Sequence, residues 1–325
     1  MSSIEKEILK FTKAFEVIRI EPVQELWSGY GIINRYYLNG GDYSSVIVKH
    51  VQLSNEQNHP RGWNTSWSHK RKLKSYQVER NWYGQYAHMT KEHCRVPACI
   101  HVSDIDSDLL LIMEDLNASG YTIRLSPKQV TLSHANSCLS WLANFHARFL
   151  GIQPEGLWSI GTYWHLDTRP DELAQMNNKS LQCAATQIDK KLNNARYQTF
   201  VHGDAKLANF CFAQNDEVAA VDFQYVGKGC GMKDVAYLIS SCFDELACEK
   251  HETALLTYYF DQLELALDNS IEFQLLKEEW SSLYRYAWAD FYRFLDGWSP
   301  GHWKMHPYSE RITQQVLNEL NTNDT

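Results

Sequence analysis

The polar residues between positions 202 and 222 carry the side chains best suited to chemistry. His202 and Asp204 follow a short apolar stretch, Asn209 lies five residues after Asp204, and Asp222 begins another loop 13 residues later. Two carboxylates and a carboxamide supply the oxygen ligands that Mg²⁺ prefers. If one carboxylate and the amide hold a metal, the other carboxylate is free as a base. Phosphoryl transfer needs this set of groups.

The elements that must position these groups begin with a predicted hairpin. Residues 36–38 and 43–51 predict two strands, and Asn39-Gly40-Gly41-Asp42 between them predicts a tight turn because Asn and Gly tolerate positive φ. The second strand presents Lys49 after three apolar residues. A surface lysine at a strand end is the alternative interpretation of Lys49.

A helix is predicted over residues 70–87, after a polar loop over residues 56–68. Glu79 on this helix is the preferred ion-pair partner for Lys49, and Glu92 and Glu56 are the alternatives. Residues 109–113 predict a buried strand, and the break at 117–120 is the candidate domain boundary.

The second part of the chain is rich in helical patterns. Ser126-Pro127 predicts a helix start, apolar residues recur at helical spacing from 135 to 150, and Gly151 can end that helix. Further helices are predicted over 233–242 and 271–295, with short strands at 200–201 and 218–221.

The composition excludes several classes of protein. The 325 residues include 31 Lys and Arg against 39 Asp and Glu, a net charge of −8 that opposes nucleic-acid binding. No apolar run approaches the roughly 20 residues of a membrane span. The eight cysteines form no Cys-x-x-Cys pair and the first residues form no secretory signal, so we expect reduced, mostly buried thiols in a cytoplasmic protein.

The run His-Gly-Asp-(x)4-Asn followed by Asp-Phe resembles the catalytic core of the aminoglycoside phosphotransferase and choline kinase superfamily. With Gly227 and Asp234-Val235-Ala236 it is similar to the ecdysteroid-kinase-like branch. The resemblance implies an α+β, two-lobed protein-kinase-like fold. A small antiparallel-sheet lobe over residues 1–116 would bind nucleotide, and a larger, mostly helical lobe over 117–325 would carry catalysis and substrate.

The resemblance also implies a role for each residue of the motif. Asp204 would be the catalytic base, and Asn209 and Asp222 would hold Mg²⁺. Lys206 would lie near the γ-phosphate, as a lysine of protein kinases does. His202 would organise the catalytic loop by hydrogen bonds, and Asp234 would steady the same loop from a helix start.

On the nucleotide side, Lys49 would grip the α- and β-phosphates of ATP, with Glu79 as its partner. Gly29 and Gly31 fit a degenerate phosphate-covering loop, whose backbone amides could reach phosphate oxygens. Met113-Glu114-Asp115-Leu116 resembles the hinge between the lobes, where the backbone of Glu114 and Leu116 would meet adenine. We interpret His146, which also echoes the family, as a packing residue.

Nine aromatic residues between positions 280 and 303 are candidates for the acceptor pocket. One helical face of this segment is expected to be core, whereas Trp298 and Trp303 flank a turn and are freer to line a pocket. Asp290 lies among the aromatic residues and could attract a cationic alcohol, but an uncharged alcohol would use the same tryptophans.

These observations predict an ATP- and Mg²⁺-dependent kinase that phosphorylates a hydroxyl of a small molecule, such as a choline-like amino alcohol, a sterol-like alcohol or another alcohol. No nucleic acid, membrane span or obligate protein partner is expected. The alternatives are a protein kinase, against which only about 11 residues separate Asp222 from Lys233, and a non-catalytic nucleotide-binding protein of the same fold. Against the latter, Lys49, Asp204 and Asn209 are all present together with Asp222.

Overall fold

The computed structural model describes residues 1–26, 29–52, 66–90, 92–105 and 108–323. Glu56 and most of the predicted 56–68 loop lie outside these residues, and so does the side chain of Glu92. The helices and strands follow in chain order as α1 Ser3–Thr12, β1 Glu16–Glu25, β2 Gly31–Asn39, β3 Ser45–Val51, α2 Ser66–Gln85, β4 Cys99–Ile105, β5 Asp108–Glu114, α3 Leu132–Arg148, α4 Pro170–Ala174, α5 Lys179–Asn193, β6 Thr199–Val201, β7 Phe210–Phe212, β8 Val218–Ala220, β9 Gly227–Gly229, α6 Met232–Cys242, α7 Glu245–Ala266, α8 Phe273–Trp298 and α9 Pro307–Asn323.

The chain forms two compact units. Unit 1 comprises Met1–Lys91, Arg95–Ile123 and Cys211–Gln224, and unit 2 comprises Glu92–Cys94, Arg124–Phe210 and Tyr225–Thr325. Unit 1 contains most of the strands and unit 2 most of the helices, so the α+β prediction is confirmed. The assignment of a nucleotide-binding lobe to residues 1–116 and a catalytic lobe to 117–325 stays a prediction.

A five-stranded sheet in the order β1-β2-β3-β5-β4 forms the centre of unit 1, and every neighbouring pair is antiparallel. The predicted hairpin turn between β2 and β3 is confirmed, with Gly40 and Gly41 both at φ +78°. A Cβ at Gly41 would lie 2.3 Å from the carbonyl oxygen of Thr12, so this turn also requires glycine for space. Alternate residues of the strands are buried beneath α1 in a core formed by Ile8, Tyr36, Leu38, Val46, Val48, Leu110 and Ile112.

Helix α2 confirms the helix predicted over 70–87, shifted by a few residues. Its buried face carries Tyr76, Glu79, Trp82 and Tyr83 at helical spacing. Trp82 stacks on Phe223 with ring centroids 4.4 Å apart. The helix therefore brings a carboxylate into the apolar interior of unit 1.

The antiparallel strands β7 and β8 form a small sheet whose chain continues directly to Asp222. Leu116 packs with Cys211 and Ala219 in a buried cluster of unit 1. Ala219 also pairs with Arg95 in an isolated bridge. Strands β7 and β8 are thus anchored to the segments that flank β4 and β5 in the sequence.

The predicted start of helix α3 at Ser126 is wrong. The helix begins at Leu132, where Thr131 caps it and exchanges hydrogen bonds with His134. Ser126 instead donates its hydroxyl to Gln129 Oε1 at 2.7 Å within a separate turn. Two hydroxyl caps compete in this stretch, and the cap with the reciprocal partner begins the helix.

Helices α6 and α8 form the interior of unit 2. Every residue of α6 is buried. Its Tyr237 joins a core cluster with Trp164, which lies between α3 and α4, and with Phe291 of α8. The helices predicted over 233–242 and 271–295 are both confirmed. None of the helices in the described ranges is long and apolar enough to cross a membrane.

All eight cysteines are free thiols, and Cys183 alone among them is exposed. Burial raises the pKa of Cys99 to about 11. Burial likewise raises the pKa of Cys230, Cys242 and Cys248 to about 12. Because the thiolate is the reactive form, the raised pKa values disfavour reaction of these thiols in the folded protein.

Candidate active site

The loop after β6 is shaped by a glycine. Gly203 adopts φ +78°, and a Cβ there would lie 2.1 Å from the carbonyl oxygen of Tyr225 and 2.9 Å from the backbone nitrogen of Thr162. No other residue fits this path without moving the backbone. The turn delivers His202 and Asp204 to opposite ends of one tight loop in unit 2.

Asp234, in the first turn of α6, holds that loop by its backbone. Its Oδ2 accepts from His202 N at 2.5 Å, and its Oδ1 accepts from Gly203 N at 3.0 Å. His146 Nε2 lies 3.2 Å from Asp234 Oδ2, and its Nδ1 lies 2.8 Å from Tyr259 Oη. His146 is therefore buried as predicted, and it also orients the carboxylate of Asp234. Charged hydrogen bonds of this kind are about twice as strong as neutral ones.

Asp204 lies in a set of hydrogen-bond donors from unit 2. Tyr237 Oη donates to its Oδ1 at 3.2 Å, while Asn209 Nδ2 and Lys206 Nζ each donate to its Oδ2 at 3.0 Å. His202 Nδ1 accepts from Asp204 N at 3.3 Å. The structure thus brings two predicted site residues, Lys206 and Asn209, to the carboxylate of Asp204, and it adds Tyr237, which sequence reasoning missed.

The amide of Asn209 is oriented by two bonds from its nitrogen. Nδ2 donates to the backbone oxygen of Asp204 at 2.7 Å as well as to Asp204 Oδ2. The short 3₁₀ turn Leu207–Asn209 that carries it is fixed by Ser241, whose Oγ accepts from Leu207 N at 2.8 Å. An amide that donates through Nδ2 presents Oδ1 on its other side, where an oxygen ligand for a cation is needed.

Unit 1 holds a second cluster of charged residues. Lys49 Nζ lies 2.5 Å from Glu79 Oε2, and both side chains are at most 5% exposed. Burial raises the pKa of Glu79, Lys49 lowers it, and the negative charge of Asp222 raises it further. The partner of Lys49 in the structure is the helix carboxylate that the sequence favoured.

Asp222 has a backbone conformation that is uncommon for a residue with a side chain, with φ +70°. Gln224 Nε2 donates to Asp222 Oδ1 at 2.9 Å, and Gln224 Oε1 accepts from Lys72 Nζ at 3.0 Å and from Ser75 Oγ at 3.2 Å. Gln224 therefore connects Asp222 to α2. Backbone strain of this type is concentrated at functional sites.

Gly29 and Gly31 form the turn that leads into β2, and the position of Gly31 requires glycine. Gly29 has φ +72° and Gly31 has φ +147°. A Cβ on Gly31 would lie 2.0 Å from the carbonyl oxygen of His50. Gly29 N donates to Leu26 O at 3.1 Å, and Leu26 N donates to Gly31 O at 2.9 Å, which closes the turn.

The side chains of the predicted hinge serve the structure of unit 1. The Glu114 carboxylate accepts from Ala98 N at 2.9 Å and also bonds Arg95 and Ser119. Burial alone would raise the pKa of Glu114, but these partners lower it. Leu116 is buried, and its carbonyl oxygen accepts from Tyr121 N at 2.9 Å. The adenine contacts were predicted for backbone groups here, and those contacts stay a prediction.

The two predicted metal ligands each carry an oxygen atom of the kind that a hard divalent cation takes. Asn209 Oδ1 and the carboxylate of Asp222 are oxygen donors, and Mg²⁺ is commonly held by one or two such groups, several waters and substrate phosphates. Within the described ranges no three His, Cys, Asp or Glu residues cluster as a metal site. Asn209 belongs to unit 2 and Asp222 to unit 1, and their binding of one Mg²⁺ ion stays a prediction.

The predicted acceptor residues have different environments. Trp303 is 50% exposed, whereas Trp298 is half-buried and stacks on Phe294 with centroids 5.4 Å apart. Asp290 is 1% exposed, accepts from Trp164 Nε1 at 3.0 Å and pairs with Arg293 at 2.8 Å. Its charge is compensated inside unit 2.

Lys304 directly follows Trp303, but the sequence did not predict it as a site residue. Its Nζ lies 4.3 Å from the ring centroid of Tyr237, the residue that bonds Asp204. The signal that could have identified it was a lysine placed next to an aromatic turn, but a lysine in a turn usually points into solvent.

Comparisons with known proteins agree with this architecture. A model of the ecdysteroid kinase-like family matches residues 44–153 and 162–270. No curated protein sequence matches the chain.

Solved structures give the fold. The chain is similar to the GDP complex of wild-type aminoglycoside 2'-phosphotransferase-IIIa, with 11% identity over 98% of each chain and a TM-score of 0.51. It is similar to the GDP complex of a mutant of that enzyme, with 11% identity over 98% of this chain and 96% of that chain and a TM-score of 0.51. Choline kinase LicA from Streptococcus pneumoniae has 13% identity over 99% of this chain and 100% of that chain, with a TM-score of 0.47. At these identities the likenesses to the aminoglycoside phosphotransferase show the fold alone.

Proposed function

Because the chain belongs to the ecdysteroid kinase-like family, we propose that it is a small-molecule kinase that transfers the γ-phosphoryl group of ATP to an alcohol. The observation that carries the proposal is the environment of Asp204. Its two carboxylate oxygens accept hydrogen bonds from Tyr237, Asn209 and Lys206. The backbone of the loop that carries Asp204 is in turn hydrogen-bonded to the carboxylate of Asp234. A buried carboxylate held in one orientation has the geometry of a general base.

In the proposed reaction, the acceptor's hydroxyl oxygen attacks the γ-phosphorus, and a new phosphorus–oxygen bond forms. The bond from that phosphorus to the bridging oxygen of the β-phosphate breaks, and its electrons leave with ADP. The hydroxyl proton passes to Asp204. Lys206 Nζ, 3.0 Å from Asp204 Oδ2 and partly exposed, is placed to neutralise charge on the transferring group. Positioning and electrostatics supply most of the catalysis in phosphoryl transfer.

On the nucleotide side, we assign the α- and β-phosphates to Lys49, and we assign the phosphate-covering turn to Gly29 and Gly31. The ion pair with Glu79 supports this role, because it fixes a long, flexible lysine side chain in one position. The backbone of Glu114 and Leu116 would bind adenine.

We assign magnesium to Asn209 and Asp222. The bound ion would neutralise phosphate charge during transfer. The amide of Asn209 is already turned by its two bonds to Asp204, and the bond from Gln224 orients the carboxylate of Asp222.

A small alcohol is favoured over a protein as the acceptor. Helix α6 begins at Met232, ten residues after Asp222, and these residues include strand β9. Little chain is therefore left for an activation segment of the protein-kinase type. We place the reaction in the cytoplasm, where eight free cysteines stay reduced.

The proposal is tested by thermal melting with nucleotide and by product detection. Mg²⁺·ATP at about 100 times its dissociation constant should stabilise the fold by about 2.7 kcal/mol, which raises the melting temperature by several degrees. ATP with a chelator should raise it far less. A panel of alcohols is then incubated with enzyme and ATP, and products are identified by the mass of one added phosphoryl group.

The control is the same panel without enzyme. A parallel reaction with ATP labelled on its γ-phosphate tests whether the phosphoryl group is transferred to protein. The absence of any melting shift with Mg²⁺·ATP would remove the nucleotide part of the proposal. Label appearing in protein substrates alone would favour the protein-kinase alternative.

A further inference from the structure

Lys304 is held in the turn between α8 and α9 by its own backbone. Lys304 N donates to His302 Nδ1 at 3.2 Å, and its carbonyl oxygen accepts from Ser309 Oγ at 3.0 Å. Ser309 is buried in the first turn of α9. The direction of the Lys304 side chain is therefore set by the fold, although the residue belongs to a turn.

The side chain runs into an aromatic box within unit 2. Its Nζ lies 4.3 Å from the ring centroid of Tyr237, 5.2 Å from that of Phe291 and 5.7 Å from that of Trp303. Lys304 is only 7% exposed. In the described part of the chain, its ammonium makes no hydrogen bond and no ion pair. Aromatic faces compensate a buried ammonium only in part.

Electrostatics connect this ammonium to the proposed base. Burial lowers the pKa of Lys304 to about 7, the charge of Lys206 lowers it further, and Asp204 and Cys242 raise it. Tyr237 joins the two groups, because its ring faces Lys304 and its hydroxyl donates to Asp204. A hydroxyl that gives its proton to Asp204 must reach the same corner of unit 2.

We propose that Lys304 is a specificity-determining residue of the acceptor site, which selects an alcohol without positive charge that carries a second oxygen near the reacting hydroxyl. The inference rests on the proposed function and narrows its substrate class. The ammonium already occupies the aromatic faces that would otherwise attract a cationic alcohol. It also lacks a hydrogen-bond acceptor among the described residues, and an oxygen of the substrate would supply one.

Two consequences follow for binding. Below about pH 7, where Lys304 carries its charge, a substrate ammonium near Asp204 would meet the like charges of Lys304 and Lys206, which reject it. An uncharged diol or polyol would instead place one hydroxyl toward Asp204 and offer another oxygen to Lys304. The sequence alone left a cationic and an uncharged acceptor equally open, and the position of Lys304 decides between them.

The test uses alcohols in matched pairs. Each amino alcohol is compared with the diol in which a hydroxyl replaces the ammonium: ethanolamine with ethylene glycol, 3-aminopropan-1-ol with propane-1,3-diol, and 4-aminocyclohexanol with cyclohexane-1,4-diol. Turnover is measured as kcat/KM from ADP release and product mass. The wild-type protein should favour the diol at least tenfold in each pair that reacts.

Three variants separate the role of Lys304 from a merely structural one. Lys304→Met should reduce the preference for the diol at least tenfold and leave the KM for Mg²⁺·ATP unchanged. Lys304→Arg keeps the charge and should retain the rejection of amino alcohols. Lys277→Met removes a lysine that lies 5.8 Å and 5.7 Å from the rings of Phe260 and Phe273, and it should change neither value.

Preference for the amino alcohol in the wild-type protein would overturn the inference, as would an unchanged preference in a folded Lys304→Met variant. If none of the pairs reacts while Mg²⁺·ATP still raises the melting temperature, the acceptor assignment fails and the nucleotide part of the proposed function stands. Loss of the melting response itself would remove both.

Discussion

The two units hold their key charged groups by different means. In unit 1, Lys49 is positioned by a buried ion pair with Glu79, and each charge depends on the other for compensation. In unit 2, Asp204 is positioned by neutral donors, by one partly exposed lysine and by a backbone turn that Asp234 bonds. One arrangement depends on charge balance, and the other depends on the path of the chain.

This difference decides what a single substitution should do. Breaking a buried ion pair leaves an uncompensated charge in an apolar interior, so the damage appears as lost stability. Replacing a carboxylate that is held by several donors leaves most of the surrounding bonds in place. The damage then appears in the reaction instead. The three predictions below, ordered from the largest expected effect to the smallest, test whether stability and chemistry separate in this way.

The largest effect is expected for Asp204→Asn. The amide cannot accept the hydroxyl proton, so turnover should fall by about 10²–10⁴-fold, as is typical when a general base is removed. The melting shift caused by Mg²⁺·ATP should stay at its wild-type size, because no nucleotide contact is assigned to Asp204. Steady-state rates and thermal melts measure the two quantities separately.

The matched comparison is Asp222→Asn, which changes a proposed magnesium ligand by the same few atoms. It should weaken the Mg²⁺·ATP melting shift together with the rate. Equal effects of both variants on binding and on rate would contradict the division of roles between Asp204 and Asp222.

The next effect concerns the stability of unit 1. Glu79→Gln leaves the ammonium of Lys49 without its counter-charge and should lower the free energy of unfolding by about 3 kcal/mol. Chemical denaturation followed by the alkylation of Cys211, a buried thiol of unit 1, measures the change. The double variant Lys49→Met with Glu79→Leu should recover most of the loss, because it removes both buried charges.

An exposed ion pair provides the control for this prediction. Arg311 and Glu249 lie 2.6 Å apart with both side chains substantially exposed. Glu249→Gln should therefore change stability by at most about 1 kcal/mol. A loss for Glu79→Gln no larger than this control would show that the buried pair is not a stability element.

The smallest effect is a pH dependence in unit 2. The pKa of Lys304 is about 7 in the folded protein and 10.5 in its ordinary state. Between these two pKa values the unfolded chain binds more protons than the folded chain. Burial of the charged Lys304 lowers the free energy of unfolding, and this loss is recovered as pH rises above about 7. The wild type should gain up to about 1.4 kcal/mol per pH unit relative to Lys304→Met.

The same difference should be flat below pH 7, where the lysine is protonated in both states. Denaturation at pH 6, 7, 8 and 9 on both proteins isolates it, because Asp204, Lys206 and Cys242 are common to the pair. A difference that is constant over this range would mean that Lys304 titrates as an ordinary surface lysine.

The parts of the fold that local sequence determines were predictable. The turn at Gly40 and Gly41, the extent of α2 and the ends of α6 all follow from glycine conformations or helical spacing within a few residues. Asp204, Asn209 and Asp222 were recognised as one set for the same reason, because they lie close together in the sequence on one loop and just after a short sheet.

The distant contacts to which no motif points were not predictable. His146 bonds Asp234 across 88 residues, and Tyr237 reaches Asp204 across 33. Nothing in the spacing of one sequence reports such pairs. The start of α3 was misplaced because Ser126 and Thr131 are equally good caps by type, and the choice between them lies in the bonds that each can complete.

The distribution of the thiols allows the unfolding of each unit to be followed separately by alkylation. Cys183 is exposed in the native protein and Cys99 is partly exposed, whereas the six buried thiols can be alkylated only when the chain around them opens. Cys99 and Cys211 belong to unit 1, and the remaining five protected thiols belong to unit 2. Mass spectrometry of protein alkylated at increasing denaturant would thus report the opening of unit 1 as a label on Cys211 and that of unit 2 as five added labels. The native cysteines therefore report, without any added probe, whether the two units unfold together or one after the other.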